Sequence, residues 1–168
     1  MTNETFAQQN PAYAVLYTPE PDDRWRARVI DIPECEAFGD GSDLRKEPTA
    51  YAVLYTPEAE GHWRARVVDI PGCEVSRPGV ALAKIAARER VKNVLEKCRQ
   101  NGQPIPAATS NIYYVRPNSQ HRGLGGKSAT EALGEVLKAY REAHGTLPPA
   151  VSVCGYVNPE AKEDDQDA

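Results

Sequence analysis

Phenylalanine and methionine are scarce in this chain: two Phe and one Met among 168 residues. Any core must therefore be built from Val, Leu, Ala, Tyr and Trp. No run of 18 apolar residues occurs, which gives no candidate for a membrane-spanning helix. The opening MTNETFAQQNP is polar and carries no apolar leader. The four cysteines, Cys35, Cys73, Cys98 and Cys154, form no CxxC pair, so a zinc site of the usual spacing is not expected. Together these absences make a reduced, cytoplasmic compartment the expectation. Charge of one sign is lacking too. The formal net charge is −4, made of −5 over residues 1–50, +3 over 51–107 and −2 over 108–168. No third is basic enough to mark a nucleic-acid surface by itself.

What the chain does have is a repeat. Residues 12–36, AYAVLYTPEPDDRWRARVIDIPECE, return at 50–74 as AYAVLYTPEAEGHWRARVVDIPGCE. At an offset of 38, 19 of 25 positions are identical, and four of the six differences sit together at 21–24. The alternation Tyr51, Val53, Tyr55 and then Trp63, Ala65, Val67 predicts an antiparallel hairpin with one packed and one wetter face. Pro71-Gly72 supplies a turn into a short third strand at Cys73–Arg77. Glu34 stands where the second copy has Gly72, which weakens the corresponding turn in the first.

After Pro78-Gly79 the period changes. Val80, Ala87, Val91, Val94, Leu95 and Cys98 fall on one face of a helix of about 20 residues by the 3.6-residue repeat, closed by Asn101-Gly102. No acid lies in its first turn, and Ser76 is the candidate N-cap. The first copy runs instead into FGDGSDLRKEP, a turn-rich linker, so it reads as a hairpin without its helix. Residues 111–116 read as a strand arriving after the helix of the second copy. Ser128–His144 reads as a helix with a capping box of Ser128 and Glu131, Val151–Val157 as a final strand, and 159–168 as a disordered acidic tail.

The run from Tyr51 to Pro106, with its opening strand, aromatic-led second strand, DIPGC turn, helix and closing GQPIP, resembles the HicB antitoxin family. The resemblance implies an α+β fold: an antiparallel β-β-β-α-β unit at 50–110, preceded by a truncated duplicate hairpin with its linker at 1–49 and followed by a strand-helix-strand at 111–158. It implies a protein-binding module, not an enzyme. The expected partner is a HicA-type mRNA-cleaving ribonuclease toxin, neutralised by binding, and homo-oligomers are expected as well. Members of the family also carry a C-terminal helix-turn-helix or ribbon-helix-helix that binds DNA, but neither is legible after residue 110. Arg64, Arg66 and Trp63 are the candidate toxin-binding residues. Each has a plainer reading: arginines on the solvated face of a half-exposed sheet, and a Trp that alternates inward as core.

Two other functions stay open. One is an orphan scaffold of the same fold with no toxin partner. The other rests on YYVRPNSQHRGLGGKSATEALGEVLKAYREAHG, which resembles the central part of a GNAT acyltransferase. There Gln120, Arg122, Gly123, Gly125 and Gly126 would form a loop whose backbone N–H groups, with the following helix N-terminus, hold the pyrophosphate of acetyl-CoA. Lys127 and Thr130 depart from that pattern. Gly126-Lys127-Ser128 also matches the end of a phosphate-binding loop, but His121 stands where its first glycine belongs. His62, His121 and His144 are scattered and show no triad-like spacing to an acid.

Overall fold

A computed structural model describes residues 12–41, 44, 50–116 and 128–159. The fold is α+β, with two antiparallel four-stranded sheets and two helices. The chain divides into two units, one made of residues 1–47 and 110–152, the other of 48–109 and 153–168.

The second unit contains strands β4 (Tyr51–Pro57), β5 (His62–Val67) and β6 (Glu74–Pro78), helix α1 (Val80–Gln100), and β8 (Val153–Val157). Its strand order is β6-β5-β4-β8. The first contains β1 (Tyr13–Pro19), β2 (Trp25–Val29), β3 (Glu36–Gly39), β7 (Asn111–Val115) and helix α2 (Ala129–His144), in strand order β3-β2-β1-β7. The first copy is thus not a bare hairpin. Glu36-Ala37-Phe38, read in the sequence as the start of a linker, is a third strand pairing Ala37 with Ala27 and Phe38 with Arg26. Its helix, α2, arrives about ninety residues downstream.

Strand β7 does not close the second copy, as its position after α1 predicts. It pairs with β1, Tyr13 opposite Val115 and Tyr17 opposite Asn111. β4 is closed by β8 instead, Tyr51 opposite Val157 and Tyr55 opposite Val153. Each unit therefore takes its fourth strand from the segment that follows the other unit's helix. Sequence position favours the nearest strand. β1 and β4, however, carry the same seven residues, YAVLYTP, so composition of the acceptor cannot decide the pairing.

Each helix covers one face of its sheet. Ala83, Ala87, Val91 and Leu95 of α1 pack with Tyr51, Val53, Tyr55, Ala65 and Val67. Ala129, Leu133 and Leu137 of α2 pack with Tyr13, Val15, Tyr17, Ala27 and Val29. The opposite face of the central strands is not wet as the alternation suggests, because Ala14, Leu16, Ala52 and Leu54 are buried as well. The outer strand β6 is exposed along most of its length, and β5 exposes Arg64 and Arg66.

Local sequence accounts for the turns. Both hairpin tips place two consecutive residues in the left-handed region, Asp22 and Asp23 in one copy, Glu60 and Gly61 in the other, the geometry that matches the twist of paired strands. The turn after β5 uses the freedom of Gly72, φ 75°. In the first copy Glu34 avoids that region, yet the Cys35 N–H still donates to Ile32 O at 2.9 Å, as Cys73 does to Ile70 O at 3.1 Å. The substitution leaves the turn standing. Helix α1 starts at Gly79, φ 86°, with no side-chain cap; Ser76 lies on β6 and donates to Glu58 instead of capping. Helix α2 is capped by the Ser128 hydroxyl, which accepts from Glu131 N–H at 3.1 Å.

Leu137 is completely buried and Leu82 is 51% exposed. Truncating a packed leucine removes its transfer energy and leaves a cavity, so Leu137→Ala is expected to cost about 2–5 kcal/mol in urea unfolding. Leu82→Ala is expected to stay within about 0.5 kcal/mol of the parent.

Candidate binding face

The strand period places Trp63 and the two arginines on opposite faces. Trp63 shares its side with Ala65 and Val67 and packs, partly buried, against the core under α1. Arg64 and Arg66 point away from the helix and are exposed. The three residues singled out in the sequence therefore do not form one site, and the core reading of Trp63 is the one its packing matches.

Arg64 is held within its face. Its Nε lies 2.6 Å from Glu58 Oε1, and the Ser76 hydroxyl donates to Glu58 Oε2 at 2.7 Å. Arg64 stands across from Thr56 and Ser76; Arg66 stands across from Leu54 and Glu74. The result is a polar strip over β5 and β6, where β6 is the outer strand of its sheet. The hydrogen bond from Ser76, followed by the Arg64 and His62 charges, holds the Glu58 carboxyl below its usual range against an opposing desolvation effect.

The first unit carries the equivalent strip with different chemistry, which sequence reasoning did not single out. Arg26 Nε lies 2.9 Å from Glu20 and 3.8 Å from Glu36. Phe38 takes the position of Ser76, and its half-exposed ring lies 5.5 Å from the guanidinium carbon of Arg24 and 5.2 Å from that of Arg26. Arginine against an aromatic face is a cation–π arrangement. The signal was present in the repeat itself, since Arg26 and Arg28 align with Arg64 and Arg66 at the offset of 38.

A third feature is duplicated. The Asp31 carboxylate accepts from the backbone N–H groups of Val151 and Ser152, at 2.9 and 3.0 Å, and from the Ser152 hydroxyl at 2.6 Å. Asp69, its counterpart in the second DIP turn, accepts from the Thr109 N–H at 2.8 Å and the Thr109 hydroxyl at 3.2 Å. Tyr13 and Tyr51 donate their hydroxyls to the carbonyls of Pro148 and Pro106. The segment after each helix is thus clamped to its own unit immediately before the strand passes to the other.

The glycine-rich loop, Gln120, Arg122, Gly123, Gly125 and Gly126, lies outside the described residues. Its expected partners do not form one sheet: β7 and β8 belong to different sheets. At the start of α2 the Ala129 N–H donates to Asp40 O at 3.0 Å and the Glu131 N–H to Ser128, so these two donors are already engaged. Among the described residues a single helix follows residue 110, and no helix is long and apolar enough to cross a membrane.

Comparison with known proteins finds no matching family model, no similar curated protein and no similar solved structure.

The depressed Glu58 carboxyl has a defined pH signature. A group whose pKa is lowered by folding adds stability above its unfolded pKa and loses it as pH falls through the folded one. By NMR titration Glu58 is expected to protonate below the usual glutamate range, and Ser76→Ala to move it back toward that range. An unchanged titration in Ser76→Ala would remove the hydroxyl as the leading cause. Burial pushes the Tyr13 and Tyr55 hydroxyls up to about 12. Their contribution holds below the unfolded tyrosine pKa of about 10 and is lost as pH rises toward the folded value. Ultraviolet titration should therefore show two tyrosines ionising only near 12 or with alkaline unfolding.

Proposed function

We propose that this chain is a HicB-like antitoxin, a binding module that neutralises a HicA-type mRNA-cleaving ribonuclease by covering its RNA-binding surface in a reducing, cytoplasmic compartment. The observation that carries the reading is the second unit: three antiparallel strands and a helix in the expected order, with Arg64 and Arg66 exposed on the face the helix leaves open. An outer strand such as β6 is a ready template for pairing with another chain. The ion-paired strip beside it can set orientation through charge. All four cysteines are thiols, in keeping with that compartment.

The direct test is a cleavage assay with a cognate HicA-type ribonuclease, a labelled mRNA and increasing amounts of this protein. Stoichiometric loss of cleavage is expected. Arg64→Glu with Arg66→Glu should change the association rate on the order of tenfold at low salt, and less at high salt, as for steered encounters. Undiminished cleavage with no complex on a sizing column would overturn the reading.

A further inference from the structure

We propose that the edge of α1 beside Tyr55 is a binding site for a phosphate group, held by the Arg88 guanidinium, the Lys84 ammonium and the Tyr55 hydroxyl. The site is separate from the face assigned to the toxin. Tyr55 lies on the helix side of its sheet, and Arg64 and Arg66 lie on the other.

One position differs between the two units. At an offset of 42, Ala87-Arg88 of α1 aligns with Ala129-Thr130 of α2, and Gly155 of β8 with Tyr113 of β7. In the first unit the position is complete. The Tyr17 and Thr130 hydroxyls bond each other at 2.9 Å, and the Tyr113 ring meets Tyr17 edge-on at 5.9 Å. In the second unit both neighbours of the tyrosine are replaced. Arg88 stands in place of the hydroxyl partner, and Gly155 in place of the ring. A Cβ added at Gly155 would meet the Tyr55 ring at 3.7 Å and, beyond its chain neighbours, no other atom within 4 Å. β8 therefore fills none of the room that Tyr113 takes beside Tyr17.

The replacement leaves polar groups unmatched. Among the described residues, two side-chain nitrogens are buried without a hydrogen bond, Arg26 Nε and Arg88 Nε. The first has a Glu20 carboxylate oxygen 2.9 Å away. Arg88 has no ion pair among the described residues, and no acid stands three or four residues from it along α1. Lys84, one turn earlier, also lacks an acid at those spacings. Its Nζ sits 5.9 Å from the centroid of the Tyr55 ring. Tyr55 is 2% exposed, and its hydroxyl makes no hydrogen bond among the described residues. Like charges at i and i+4 oppose one another on a helix, and a buried donor without an acceptor costs free energy. One oxyanion relieves both. Burial pushes the Tyr55 hydroxyl up to about 12 against the pull of the Arg88 charge, so at neutral pH it is protonated and can donate. Two cations and a third donor match the charge of roughly −2 and the several acceptor oxygens of a phosphate group, where a carboxylate offers a single charge and two oxygens.

The test is a titration of the full chain with sodium phosphate, ionic strength held constant with chloride, followed by calorimetry and through the Arg88 Nε–H resonance. Saturable binding with a Kd on the order of 1 mM is expected, with acetate weaker by about tenfold or more. Arg88→Thr, which installs the residue found at position 130, should weaken phosphate by about tenfold or more. Lys84 is exposed, so Lys84→Gln spares the fold and should weaken phosphate by about threefold or more. Arg90→Gln removes another exposed charge of α1 and should leave binding unchanged. No saturable binding, equal binding of acetate, or the same loss in Arg90→Gln as in Lys84→Gln overturns the proposal. Phenyl phosphate separates the two sources of the group. Tighter binding than inorganic phosphate assigns the site to a phosphate monoester, and weaker binding assigns it to the free ion.

Discussion

The architecture turns on one interaction made twice: a carboxylate in the DIP turn gripping backbone N–H groups just upstream of a strand. Hydrogen bonds to a charged acceptor are stronger than neutral ones, about 1.5–3 kcal/mol net. Asp31 accepts three of them within four residues of the clamp that Tyr13 makes on Pro148. Asp69 and Tyr51 repeat the arrangement on Thr109 and Pro106. The post-helix segment is thereby tied at both points to the unit of its own helix. β7 then pairs with β1 and β8 with β4.

The same duplication gives the two units different outward chemistry on equivalent backbones. Where the second unit has Ser76 feeding Glu58 beside Arg64, the first has Phe38 between Arg24 and Arg26. Exposed ion pairs of this kind contribute little to stability, about 0–1 kcal/mol, and charged side chains on a sheet edge discourage edge-to-edge pairing. The proposed toxin contact draws on the second strip.

Much of this was legible in the letters. The hairpins, the DIP turns, α1 with its buried face, and the Ser128–Glu131 cap of α2 follow from alternation, helical period and capping chemistry. The opposite facing of Trp63 and Arg64 follows as well, from the two-residue period of a strand. Two things did not follow. The strand at Glu36–Gly39 was hidden by the glycines and aspartates just after it. The exchange was hidden because β1 and β4 have identical sequences, so nothing local distinguishes the acceptors. A weaker repeat did point to it. Residues 87–115 and 129–157 share 10 of 29 positions, among them Ala87 and Ala129, Leu95 and Leu137, Pro106 and Pro148, Ser110 and Ser152, and Val115 and Val157. Read beside the hairpin repeat, it marks two helix–strand arms for two hairpins. Between the two arms lies the glycine-rich stretch Gln120–Gly126.

The measurement that tests the exchanged pairing most directly is a set of cross-strand contacts in the NMR spectrum of dilute, monomeric protein. Opposed residues of antiparallel strands bring their Cα atoms to about 4.5–5.5 Å, close enough for nuclear Overhauser effects between their α protons in the closer pairs. The pairing described here predicts contacts of β7 with β1, in the register that sets Ile112 against Leu16, and of β8 with β4, in the register that sets Cys154 against Leu54. Contacts of β7 with β4 and of β8 with β1 would contradict it, and would mean that each unit closes with the strand following its own helix.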